Sequence, residues 1–81
     1  MKTIHSNANI MLLEWLYSKR LLAGITQQQL SDKLNKPQSF VSKYENAERR
    51  LDIIETLRIC NTLNADPHEL IDLINKAQDE H

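Results

Sequence analysis

Four polar side chains in the middle of the chain are placed to do chemistry together. Gln38, Ser39, Ser42 and Lys43 fall at i, i+1, i+4 and i+5, which sets them along one side of a helix while Val41 faces the opposite way. Their hydrogen-bonding side chains are long enough to reach base edges: Gln suits adenine, Lys suits guanine and Ser tolerates several partners. Nucleophilic catalysis fits the same residues poorly, because Ser39 and Ser42 have no His or Asp near them in sequence to activate a hydroxyl. Acid pairs such as Asp52 and Glu55, or Asp79 and Glu80, lack a neighbouring base and nucleophile, so no enzyme is expected. His5, His68 and His81 have no spacing that gathers them on one metal. The single glycine, Gly24, permits no phosphate-cradling loop, and no cofactor is expected.

A helix as short as the one carrying these residues is unstable alone and must be held by neighbours. The sequence predicts five helices. The first runs from about Asn9 or Ile10 to Ala23, ended by Gly24 in a left-handed cap. Thr26 with Gln29 reads as a capping box opening the second, about 27–34. Asn35 supplies a left-handed turn, and Pro37 starts the third, which runs to Glu45. The fourth spans about 52–63, with Ile53, Leu57, Cys60 and Leu63 as its apolar stripe. Asp66, Pro67 and Glu69 start the fifth. Leu12, Leu16, Ile25, Leu30, Leu34, Val41, Leu57, Leu63 and Leu70 are the expected core, with Trp15 and Tyr17 packing from the first helix and Cys60 a buried, inert thiol.

The 81 residues allow one apolar core, and a composition with one Gly and two Pro suits an all-α domain. The domain is expected over 9–77, between a lead-in at 1–8 and a polar tail at 78–81. One cysteine forms no internal disulfide, and the longest apolar clusters, such as 10–13, fall far short of the roughly 20 residues that cross a bilayer. A soluble, cytoplasmic protein is expected.

The formal net charge is -1, which on its face argues against a polyanionic partner. Position matters more than the sum. Residues 19–50 carry seven cations against three anions, whereas 51–81 carry two cations against seven anions. A chain polarised in this way orients itself in the field of a polyanion with its acidic end pointing away.

The run TQQQLSDKLNKPQSFVSKYENAERRL from Thr26 to Leu51 describes two short helices joined by a tight turn. With Arg20 before Gly24, QSFVSKYE at 38–45, Glu48-Arg49-Arg50-Leu51 and the turn at 63–67, it resembles the Cro and phage-repressor type of helix-turn-helix protein, the xenobiotic-response-element family. The resemblance covers about 12–73 and implies a lambda-repressor-like five-helix domain whose recognition helix, 38–45, reads double-stranded operator DNA, commonly as a homodimer. It further implies base reading by Gln38, Ser39, Ser42 and Lys43, phosphate contacts from Gln27, Lys36, Arg49 and Arg50, and a structural pair of Arg20 with Glu45. Two glycines of the family pattern are Asn35 and Ala47 here. Apolar residues beyond the needs of one small core, Ile71 and Leu73 with Ile54 or Ile59, suggest a self-complementary dimer patch. The expected function is transcriptional regulation by a repressor. An antitoxin that binds a toxin through its acidic helices, and a protein adaptor that does not use DNA, are the alternatives.

Overall fold

The computed structural model describes residues 6–79. The five helices are α1 (Asn7–Ala23), α2 (Gln27–Lys33), α3 (Ser39–Glu45), α4 (Ile53–Leu63) and α5 (Pro67–Asp79), and no strand occurs among the described residues. α1 packs along α5 and also touches α3 and α4, while α2 and α3 pack on each other.

Each boundary has a local cause. Ser6 accepts from the Asn9 amide at 3.1 Å, so α1 opens at Asn7, earlier than its apolar period suggested. Residues 7 and 8, expected in the lead-in, are therefore helical; 1–5, including His5, lie outside the described residues. At the other end α5 continues to Asp79, so the expected tail at 78–81 is helical in its first half, and residues 80 and 81 lie outside the described ones. Reciprocal capping boxes open α2 through Thr26 with Gln29, and α4 through Asp52 with Glu55. Asp66 Oδ1 accepts from the His68 amide at 2.9 Å where α5 starts.

Three helices end on left-handed residues other than glycine: Asn35 (φ 62°), Ala47 (φ 59°) and Asn64 (φ 58°). The same bond closes all three, a backbone donor reaching five residues back: Lys36 to the Ser31 carbonyl, Glu48 to Lys43 and Ala65 to Cys60, at 2.8 to 3.0 Å. Asn tolerates this conformation at little cost, whereas Ala47 holds it against its own preference. The orphan carbonyls of α3 are satisfied in exchange.

Leu13, Trp15, Leu16, Leu30, Leu34, Phe40, Val41, Tyr44, Ile59, Cys60, Leu63 and Leu70 form the core. Leu12, Ile25 and Leu73 pack against it half-buried. Burial pushes the Cys60 thiol up, which keeps it protonated. Two sequence expectations need correcting. On α4 the buried stripe is Thr56, Ile59, Cys60 and Leu63, while Ile53 is 63% and Leu57 36% exposed. Thr56 takes an inward position because its hydroxyl donates to the Asp52 carbonyl at 2.8 Å, which removes the penalty of burying it. That choice rotates Ile53 and Leu57 outward and places Ile59, expected in an outer patch, wholly inside. On α1, Tyr17 is exposed and not packed in the core.

The rotation of α4 is testable by urea denaturation. Ile59→Ala is expected to cost about 2–5 kcal/mol, as for a fully buried aliphatic side chain, and Leu57→Ala about 1 kcal/mol or less. A larger cost at Leu57 than at Ile59 contradicts this packing.

Candidate nucleic-acid interface

α3 is amphipathic across its two turns. Phe40, Val41 and Tyr44 are buried, whereas Gln38, Ser39 and Lys43 are exposed and Ser42 is half-buried. Gln38, Ser39 and Ser42, joined by Gln27 and Gln28 at the start of α2, line a shallow polar depression, and the exposed Lys43 follows Ser42 in the chain. Gln28 did not emerge from the sequence pattern, because its membership depends on how α2 crosses α3.

Ser31 fixes that crossing. It is fully buried, and its hydroxyl donates to the Gln38 carbonyl at 3.3 Å while accepting from the Val41 amide at 3.4 Å. Val41 lies in the first turn of α3, where amides have no intrahelical partner. One small hydroxyl thus satisfies the start of α3 and ties it to α2. Arg58 of α4 adds a bond to the Leu34 carbonyl at 3.3 Å, holding the end of α2.

The far end of α3 is tied to α1. Arg20 donates through Nε to Glu45 Oε2 at 2.8 Å and through Nη2 to Oε1 at 3.1 Å, and its Nη1 reaches the Ile25 carbonyl at 2.9 Å. The side chains are 9% and 6% exposed. Gln27 Nε2 donates to the same Oε1 at 2.8 Å. The hydrogen bond to Glu45 holds the Arg20 guanidinium even more firmly protonated than usual, against the opposing effect of burial. Tyr17 lies 5.3 Å from this guanidinium and covers it from outside, which accounts for an aromatic ring on an exposed face of α1.

The cations expected on phosphates divide into two groups. Arg50 is exposed, as are Lys33 and Lys43. Arg49 and Lys36, whose side chains are 39% and 31% exposed, are both directed at the Glu55 carboxylate. Arg49 makes a two-pronged contact with its carboxylate at 2.8 and 3.0 Å, and Lys36 stands 3.9 Å from it. The hydrogen bonds from Arg49 hold the Glu55 carboxyl below the usual glutamate range. The stability this pairing contributes is complete above that range and is lost as pH falls through the lowered value. Glu55 was invisible as a site residue in the sequence, where it reads only as an acid paired with Asp52 and lacking a neighbouring base or nucleophile. Among the described residues, no group of three or more metal-ligating side chains stands together, and no helix is long and apolar enough to cross a membrane.

The helix-turn-helix family model matches residues 16–70 of the chain. Among solved structures, the chain is similar to one described as an XRE-family like protein from Pseudomonas syringae pv. tomato str. DC3000. The two share 47% identity over 91% of this chain and 90% of that one, with a TM-score of 0.82. Comparison with curated proteins finds no match.

Breaking the Arg20 and Glu45 pair from one side strands the other charge in a buried place. Arg20→Met and Glu45→Leu are each expected to cost about 3–5 kcal/mol in urea unfolding, with the double replacement Arg20→Met, Glu45→Leu recovering much of the loss. Strictly additive losses contradict the coupling.

Proposed function

Because the chain belongs to the helix-turn-helix family of the Cro and xenobiotic-response-element type, whose members are DNA-binding transcription regulators, we propose that it represses transcription by occupying a palindromic operator as a homodimer. The observation that carries this reading is the exposed polar flank of α3, set opposite a fully buried Val41. A helix of this width enters a major groove about 12 Å wide, and its outward side chains then meet base edges. Gln38, Ser39, Ser42 and Lys43 select the sequence. Gln27 at the start of α2 and Arg50 in the loop after α3 supply phosphate contacts, which set register and most of the affinity. The cation-rich segment faces the polyanion, and the acidic α4 and α5 point away.

Of the exposed apolar side chains, Ile10, Leu21 and Leu22 belong to α1, Ile53, Ile54 and Leu57 to α4 and Ile71 to α5; the homodimer is assigned to the α4 and α5 group. Ile59 and Leu73, expected to share this patch, are respectively buried and half-buried. Two copies joined through such a face set their α3 helices in successive major grooves about 34 Å apart. Ile54→Glu is expected to sediment as a monomer, since the side chain it alters is 63% exposed; an unchanged dimer rules this face out.

Fluorescence anisotropy on a duplex selected from random sequence, and on a random duplex, separates the two kinds of contact. Gln38→Ala is expected to lose roughly 1–3 kcal/mol on the selected duplex and little on the random one, while Arg50→Ala weakens both alike. Equal losses from both variants on both duplexes remove the base-reading role of α3.

A further inference from the structure

Glu55 draws together elements that lie apart in sequence. Its Oε1 accepts from Arg49 Nη1 at 3.0 Å and from the Asp52 amide at 3.1 Å, and its Oε2 accepts from Arg49 Nη2 at 2.8 Å. Arg49 Nη1 also donates to the Arg50 carbonyl at 3.0 Å. The same guanidinium stands 4.9 Å from the centre of the Phe40 ring, and the Lys36 ammonium stands 5.3 Å from it. Phe40 is 5% exposed, belongs to α3, and meets Tyr44 edge-on at 5.5 Å.

We infer that Arg49 is a positioning residue for DNA recognition, clamped by Glu55 against Phe40 to fix the roll of α3, and that it is not a phosphate contact. The inference rests on the reading of α3 as the base-reading helix. The geometry carries it in two steps. First, the planar fork of Arg49 is spent on both oxygens of one carboxylate and on a backbone carbonyl, the arrangement in which arginine recognition is most directional. Leaving for a phosphate exchanges this fork for a similar one, gives up the ring contact, and leaves Glu55 with the Asp52 amide and a lysine 3.9 Å away. Second, Phe40 sits between Ser39 and Val41, so the layer that covers its ring sets the angle at which Ser39 and Lys43 leave the surface. Base edges are read by hydrogen bonds whose strength falls steeply with misalignment, whereas attraction to the phosphate chain tolerates small rotations.

The test uses the full chain, with binding to the selected and the random duplex measured across 50 to 200 mM salt. Arg49→Ala and Glu55→Gln are each expected to weaken the selected duplex roughly tenfold, with random-duplex affinity little changed and the salt slope as in the wild type. The double variant is expected to be no worse than either single one, because both remove the same contact. Arg49→Lys keeps the charge and loses the fork, and is expected to behave like Arg49→Ala; it carries the test if Glu55→Gln fails to show a cooperative melt. The inference is overturned if Arg49→Ala weakens both duplexes alike and lowers the salt slope by about one, if Arg49→Lys restores binding, or if Glu55→Gln tightens it by releasing the arginine. Absence of wild-type binding to either duplex is a different result, and overturns the DNA reading itself.

Discussion

Glu45 is the residue on which the placing of α3 depends. A carboxylate in the last turn of a helix stands at the negative end of the backbone dipole, where it is unfavourable alone. Here it receives three side-chain hydrogen bonds, two from Arg20 of α1 and one from Gln27 of α2. Helices α1, α2 and α3 therefore meet at one pair of oxygens. A buried ion pair adds little net stability once desolvation is counted, yet it is expensive to break from one side, so its effect is to exclude other arrangements of the same helices. Ser31 does the same at the start of α3 with a neutral hydroxyl. Between these two ties, α3 has little freedom to translate or tilt.

The charge distribution takes a different form once the chain is folded. Of the seven cations between residues 19 and 50, Arg20, Lys36 and Arg49 face carboxylates of the chain itself, and Lys19 lies 3.5 Å from Glu69. Lys33, Lys43 and Arg50 are the exposed ones. The paired cations shape the scaffold, and Lys33, Lys43 and Arg50 outnumber the exposed anions of the same segment, Asp32 and Glu48, by one. A net charge of -1 is thus compatible with a polyanionic partner, since only the field on the approaching side matters at a screening length near 10 Å.

Much of this architecture can be read from local chemistry. The Thr26 with Gln29 box, the left-handed Asn35 and the Asp66 with Pro67 start involve residues at most a few positions apart, where a short sequence window already contains both partners. The exposed flank of α3 follows from spacing once Val41 is placed inside. What could not be read depends on tertiary path. The spacing of α4 allows more than one inward stripe, and the preference for apolar residues picks Ile53 and Leu57, whereas Thr56 with its internal hydrogen bond takes the inner position. Ser31 is invisible because its partners belong to the next helix, and Glu55 because its role depends on the loop after α3 turning back over Phe40. Arg49, in that loop, looks like a solvated cation until Glu55 is beside it. The left-handed Ala47 belongs to the same loop: a residue with no liking for positive φ adopts it because two backbone bonds close the helix there.

One flank of α3, with the start of α2, is the surface we propose to be pressed against DNA. Amide chemical shifts followed while a duplex selected by the protein is titrated into it address this most directly. Shifts concentrated at residues 27–28 and 38–43, with those of α5 at 68–77 unmoved, are the predicted result. Changes confined to α4 and α5, with α3 silent while the duplex is bound, contradict this placing of the DNA.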